Sequence, residues 1–160
     1  MNGWENFLSA EVGASATLAG LIFVGVSINL ARILSIAALP SRALQALLFL
    51  VAILIDSSLL LVPRQSMTAV GAELLIVSIL LWTMATGSDI VALRKTEHKY
   101  RHFVKINLAV NQLVVLPYVI SGVVVLVRGA TGLYWLVPAV LLSFVKAIAD
   151  AWVLLIEINR

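Results

Sequence analysis

Charged side chains interrupt the long apolar stretches of this sequence, and they are the residues best suited to do chemistry. Lys146 and Asp150 are four residues apart, so on a helix they share a face and can pair. Pairing offsets most of the cost of burying either charge. Two roles remain open. Asp150 changes its charge against Lys146 in a proton or ion relay, or the pair fixes the rotation and packing of its helix.

Three further carboxylates, Glu11, Asp56 and Glu73, fall in three different apolar stretches. An ionised group costs about 2.5–3.5 kcal/mol at the centre of a membrane helix, so such positions need a reason. If the three acids converge in a water-filled vestibule, they attract cations as the acidic rings of channel mouths do. Alternatively, Glu11 and Glu73 are hydrated near the surface, and Asp56 hydrogen-bonds to Ser57 or Ser58. Asp56 is the strongest single candidate.

Carboxamides define another polar face. Asn107 and Asn111 are four residues apart, and they can line a pathway together with Asn29 and Asp89 or make hydrogen bonds between helices. The predicted ion or proton path therefore consists of Asp56, Glu73, Glu11, Lys146, Asp150 and Asn111.

The elements that position these residues follow from composition. Hydrophobic residues make up 62% of the 160 residues and charged residues 12%, and the mean hydropathy is +1.08. In soluble domains about half of the residues are hydrophobic and about a quarter are charged, so the sequence indicates an integral membrane protein. A membrane-spanning helix needs about 20 apolar residues. The sequence predicts an all-α, polytopic bundle in one domain, 1–160, with five transmembrane helices at about 7–34, 43–62, 67–93, 103–127 and 133–158.

Basic residues predict the orientation of this bundle. Most of them, including Arg32, Arg42 and the basic residues of 94–105, share one side, whereas Arg64 and Arg128 lie on the other. The richer side is expected to be cytoplasmic. With five crossings, the amino terminus is then outside and the carboxyl terminus cytoplasmic.

Two surface features predict contacts with other molecules. The first helix has three small residues on one face, Gly13, Thr17 and Gly20. They predict close helix packing, either within the chain or between copies of it. The loop between the third and fourth predicted helices contains four basic residues, Arg94, Lys95, Lys99 and Arg101. These residues predict binding of anionic lipid headgroups. The positive-inside rule alone also explains their presence.

Several chemistries lack their residues. The sequence has no cysteine, no P-loop, no zinc-protease pair and no Gly-x-Ser-x-Gly elbow, so we expect no enzyme activity and no cofactor. His98 and His102 lie among basic residues without a clear third ligand, which argues against a metal site. The basic charge is concentrated in one loop, where topology explains it, so no nucleic-acid partner is expected.

Four segments are similar to a family of small bacterial multi-pass membrane proteins. They are Gly3-Trp4-Glu5-Asn6-Phe7, Glu11-Val12-Gly13-Ala14-Ser15-Ala16, Phe23-Val24-Gly25-Val26-Ser27-Ile28-Asn29-Leu30 and Asp150-Ala151-Trp152-Val153-Leu154-Leu155. Some members of that family are labelled modulators of a membrane-anchored AAA protease. The resemblance implies a bacterial inner (plasma) membrane protein and supplies no site residues.

Buried charge without catalytic equipment predicts an oligomeric channel or carrier for a cation or protons that uses intramembrane carboxylates. Five helices enclose too little space for a wide pore, so conduction needs a homo-oligomer or a narrow proton wire. The alternative is a non-transporting interaction or regulatory subunit, such as a modulator of a membrane protease complex. The expected partners are membrane lipid, further copies of the chain and a membrane protein.

Overall fold

The computed structural model describes residues 3–36 and 38–158. Within these residues the chain is almost entirely helical and contains no strand, which confirms the predicted all-α bundle. Short 3-10 turns, His98–Tyr100 and Gly129–Trp135, precede and follow the fifth helix. The helices are α1 (Glu5–Ile28), α2 (Leu30–Ser35), α3 (Leu39–Leu60), α4 (Met67–Lys95), α5 (Arg101–Arg128) and α6 (Leu136–Ile158).

Four helical stretches of the described chain are long and apolar enough to cross a membrane. Three of them are α1, α3 and α4, and the fourth is His98–Glu157, which contains α5 and all but the last residue of α6. Large apolar side chains such as Leu21, Ile76 and Val145 lie exposed on the outside of the bundle. Such a surface suits lipid rather than water, so the chain is an integral membrane protein.

The first predicted span, 7–34, is wrong as a single helix. The backbone leaves the helix at Asn29, where φ is −106° and ψ is 15°, and α2 follows as a separate segment. The Asn29 Nδ2 donates a hydrogen bond to the Gly25 carbonyl oxygen at 3.0 Å. Asparagine side chains compete for backbone groups in this way, which makes asparagine a poor residue for a helix interior.

Helix α3 begins at Leu39, four residues before the predicted start of the second span. Pro40 lies in its first turn, where a missing backbone N–H breaks no helical hydrogen bond. The earlier start places Arg42 inside the helix. At the next helix Ser66 is the N-cap, since its side-chain oxygen accepts a hydrogen bond from the Ala69 amide at 3.2 Å.

Helix α3 lies at the centre of the bundle and contacts α1, α4 and α6. Helices α4 and α5 form an antiparallel hairpin, in which Gly71 packs against Leu126 and Gly122 packs against Leu75. A Cβ atom at Gly71 would lie 2.7 Å from the Leu126 Cγ atom. Glycine is therefore what allows these two helices to approach so closely.

Helix α1 packs on the bundle through one face only. Leu8 and Ser15 are buried there, whereas Gly13, Thr17 and Gly20 are exposed on the opposite side. A Cβ atom at Gly13 or Gly20 would meet nothing within 4 Å. The prediction that these small residues pack within the chain is therefore wrong, because α1 turns its other face to α3. A contact between copies of the chain stays a prediction.

Candidate functional site

Three groups of polar side chains lie inside the bundle along α3. We call them the acid cluster (Glu11, Asp56, Tyr118 and Ser143), the ion triad (Arg42, Lys146 and Asp150) and the amide cluster (Gln45, Asp89, Asn107 and Asn111). The end of the bundle that carries Arg64 is called the Arg64 end. The opposite end carries the loop 94–101 and is called the basic-loop end. The acid cluster lies towards the Arg64 end, and the other two groups lie towards the basic-loop end.

Asp56 is the centre of the acid cluster. Its side chain is only 2% exposed, and neither carboxylate oxygen has a hydrogen-bond partner in the part of the chain that the structure describes. The expected local bond to Ser57 or Ser58 is therefore wrong. Burying a carboxylate without a donor costs several kcal/mol, so the free energy of this group falls when it takes up a proton or a cation.

Glu11 on α1 and Tyr118 on α5 are the other ionisable members of the acid cluster. Both acids lie within electrostatic range of the Tyr118 hydroxyl, which is itself 2.9 Å from the Ser143 Oγ atom on α6. One oxygen of Glu11, Oε2, is buried and has no hydrogen-bond partner among the described residues. The acid cluster therefore brings together side chains from four helices, and two of its acids have free acceptor atoms.

Glu73 does not join this cluster. The Gln65 Nε2 atom donates to its Oε1 atom at 3.1 Å and to its Oε2 atom at 3.0 Å, at the start of α4. The predicted convergence of three acids is thus wrong for Glu73, because the turn before α4 supplies it with a local amide donor. Glu11 and Asp56 lie on α1 and α3, which pack together, and their convergence stays a prediction.

The ion triad joins α3 to α6. The expected pair forms, since the Lys146 ammonium group hydrogen-bonds to the Asp150 Oδ2 atom. Arg42 Nη1 binds the other oxygen of Asp150 at 3.0 Å. Lys146 also lies over the Phe49 ring, with its Nζ atom 5.8 Å from the centroid. One acid thus has two cationic partners, and the triad carries one net positive charge.

The amide cluster surrounds Asp89, which is 1% exposed. Its Oδ1 atom accepts from Gln45 Nε2 at 2.8 Å and from Asn107 Nδ2 at 2.9 Å. Its Oδ2 atom accepts from Asn111 Nδ2 at 2.6 Å. The site is built by three helices, because Gln45 belongs to α3, Asp89 to α4 and both asparagines to α5.

Two cavities lie at opposite ends of this polar core. At the Arg64 end, a cavity of about 540 Å³ is lined by Glu5, Arg64 and Gln65 and reaches Leu8 and Leu60. Leu8 is one turn from Glu11 and Leu60 one turn from Asp56, so these buried leucines lie between the cavity and the acids. A cavity of about 90 Å³ towards the basic-loop end is lined by residues that include Arg42, Asp89, Asn107, Thr96 and Tyr100.

The predicted lipid-binding residues lie at the surface. Arg94, Lys95, Lys99 and Arg101 are all exposed at the basic-loop end. Arg101 is tied to the loop through its Nε atom, which donates to the Thr96 carbonyl oxygen at 3.3 Å. This placement leaves their side chains accessible to headgroups, and binding itself stays a prediction.

The sequence analysis did not identify Gln45 and Tyr118 as members of the polar core, and it predicted no ion pair for Arg42. The available signal was spacing on α3, where residues 42, 45, 49 and 56 recur at intervals of three, four and seven and therefore share one helix face. Among the described residues, no group of three or more His, Cys, Asp or Glu side chains is placed to hold a metal ion.

No family model matches this chain, and no curated protein or solved structure matches it. The resemblance to small bacterial membrane proteins stays a prediction. The geometry of the polar core is therefore the basis for any functional proposal.

Proposed function

We propose that this protein carries protons, or a small cation, across the membrane and that Asp56 is the group that takes up the ion. The observation that supports this proposal is a carboxylate that is 2% exposed inside a membrane bundle and has no hydrogen-bond partner in the described residues. A structural acid is normally paired, because an unpaired one is costly. An acid that binds and releases a proton has to exist without a permanent partner.

The path runs through the interior of one chain. Asp56 and Arg42 are 14 residues apart on α3, which corresponds to about 21 Å along the helix axis. The hydrocarbon core of a bilayer is about 30 Å thick, so the polar core crosses most of it. A proton passes from Asp56 and Glu11 past the hydroxyl groups of Tyr118 and Ser143 towards Lys146 and Asp150.

The proposed proton path is narrow, and it is closed at its ends rather than open as a wide pore. Leu8 and Leu60 close the acid cluster towards the Arg64 end, and the lining residues of the two end cavities do not overlap. Transport then requires a movement that exposes the acids to each side in turn, as in a carrier. Homo-oligomer formation is part of the proposal but supplies no part of this path.

Purified protein in liposomes tests the proposal. With an imposed pH gradient and a potassium diffusion potential, wild-type vesicles should take up protons faster than protein-free vesicles, and Asp56→Asn should remove the difference. Sodium and potassium gradients in the same vesicles identify a cation as the carried species. Wild-type vesicles that match protein-free vesicles in all these gradients refute transport.

A second candidate function is a non-transporting interaction subunit, such as a regulator of a membrane protease complex. It is favoured by the exposed face of α1, which contains Gly13, Thr17 and Gly20. A Cβ atom at either glycine would meet nothing within 4 Å. Replacing Gly20 with leucine should then release a membrane partner in mild-detergent purification. Gly87→Leu on α4, also exposed and without neighbours, is the matched control.

A further inference from the structure

The amide cluster surrounds a single carboxylate with side chains that have both donor and acceptor atoms. Gln45, Asn107 and Asn111 each present an NH₂ group to Asp89. None of the described cationic side chains forms an ion pair with Asp89; the neighbouring triad uses Arg42 and Lys146 on Asp150. We propose that the amide cluster is a binding site for a small monovalent cation of the size of Na⁺.

The amide groups that supply the ligand atoms already surround Asp89. A carboxamide carries its oxygen and its NH₂ group on the same carbon, so a half-turn of the group exchanges donor for acceptor at the same place. Half-turns of Gln45, Asn107 and Asn111 replace three N–H donors with three oxygens around the carboxylate of Asp89. With one carboxylate oxygen this gives four oxygen ligands, and the Ser88 Oγ atom, 2.8 Å from Gln45 Nε2, is a fifth.

An unused acceptor independently points to a ligand. The Oδ1 atom of Asn111 is buried and has no hydrogen-bond partner within the described chain, although the Nδ2 atom of the same group lies 2.6 Å from Asp89. Asn111 is 0% exposed. A buried carbonyl oxygen without a donor costs about 1–3 kcal/mol. The half-turn of the Asn111 amide places this oxygen beside Asp89, where a bound cation satisfies it.

The charge and hardness of the site select the ion. One carboxylate with neutral oxygen donors balances a single positive charge, whereas Ca²⁺ takes six to eight oxygens, often from several carboxylates. Oxygen ligands suit hard cations and exclude those that prefer sulfur or imidazole. The cavity of about 90 Å³ lined by Asp89 and Asn107 gives the ion a route towards the basic-loop end.

This inference goes beyond the proposed function and does not depend on Asp56. It assigns a second ion-binding position, on the α4–α5 side of α3. Loss of proton flux in Asp56→Asn therefore says nothing against the cation site. Absence of Na⁺ binding to the amide cluster likewise says nothing against proton transport through Asp56.

Thermal unfolding of the purified wild type in NaCl or in choline chloride at equal ionic strength tests the site. Na⁺ at 100 times its Kd should lower the unfolding equilibrium constant about 100-fold and raise the Tm. KCl should raise the Tm less than NaCl does, because K⁺ is larger than the Na⁺ ion that the site is proposed to fit. Asp89→Asn should abolish the difference between the two salts, and Glu73→Gln, which removes an acid outside the cluster, should preserve it.

Asn111→Ala and direct binding keep the test decisive if Asp89→Asn fails to fold. Asn111→Ala retains the charge of Asp89, removes one oxygen ligand and should weaken the response to Na⁺. Equilibrium binding of radioactive ²²Na⁺ to the wild type should give one site per chain. Equal Tm values in NaCl and choline chloride, no bound ²²Na⁺, or an unchanged Na⁺ response in both variants would each overturn the proposal.

Discussion

At the scale of single residues, three buried acids differ in how their negative charge is compensated. Asp150 is neutralised by Lys146 and Arg42, and Asp89 is solvated by three amide groups. Asp56 has neither kind of partner in the described structure. The contrast matters because a solvated or paired acid can stay ionised inside the bundle without a ligand, whereas an unpaired one costs stability until it binds a proton or a cation.

Replacing Asp56 should therefore stabilise the protein. Asp56→Val removes two buried acceptors without a donor, and we expect the free energy of unfolding to rise by about 1–3 kcal/mol. Chemical denaturation in detergent micelles measures the change. A loss of stability in Asp56→Val would mean that the carboxylate has a partner in the membrane, and the role of Asp56 as an unpaired acid would be lost.

Replacing Asp150 should have the opposite effect. Asp150→Val leaves Lys146 buried without its counter-charge, so we expect a loss of about 3–5 kcal/mol. The double variant Lys146→Met with Asp150→Val should recover much of that loss, because the buried ammonium group is then absent as well. Equal losses in the single and double variants would show that the two side chains do not stabilise each other.

At the scale of helices, α4 and α5 pack closely at the Arg64 end of their hairpin, where Gly71 and Gly122 allow the two helices to approach. The amide cluster joins the same two helices further along, since Asp89 is 18 residues from Gly71, or about 27 Å along the axis of α4. The hairpin is thus held by glycine packing near one end and by hydrogen bonds to Asp89 near the other.

A glycine substitution on α4 tests this close packing. At Gly71 an added methyl group collides with Leu126, so Gly71→Ala should cost about 1–3 kcal/mol. Gly87→Ala on the same helix meets no neighbour and should be neutral or add up to about 1 kcal/mol, because alanine favours a helix. Unfolding curves of the two variants provide the comparison, and equal effects at both positions would contradict close packing at Gly71.

At the scale of the whole molecule, composition and apolar run length were enough to predict an all-α membrane bundle. Most predicted helix ends lie within a few residues of the observed ones. The break at Asn29 depends on competition for the backbone by its side chain, and the early start of α3 depends on Pro40 in the first turn, and apolar run length reveals neither. The pair of Lys146 and Asp150 was predictable because it lies within one helix. Partners on different helices, such as Gln45 with Asp89, depend on helix rotation and packing, which a single sequence does not specify.

The orientation of the whole bundle is a prediction that labelling can check. Because the chain has no cysteine, a single introduced cysteine reports on one position without background. On intact cells, a membrane-impermeant thiol reagent should label Arg64→Cys and should label Lys99→Cys only after permeabilisation. The reverse pattern would place the amino terminus inside.

Proton flux in liposomes that contain Asp56→Asn or Glu73→Gln tests the central claim most directly. Both variants remove one acid near the same end of the bundle, but Asp56 is unpaired inside it and Glu73 is bonded to Gln65 at its edge. We predict that Glu73→Gln conducts protons at the wild-type rate and that Asp56→Asn falls to the rate of protein-free vesicles. Wild-type flux in Asp56→Asn would contradict the assignment of Asp56 as the proton-binding group.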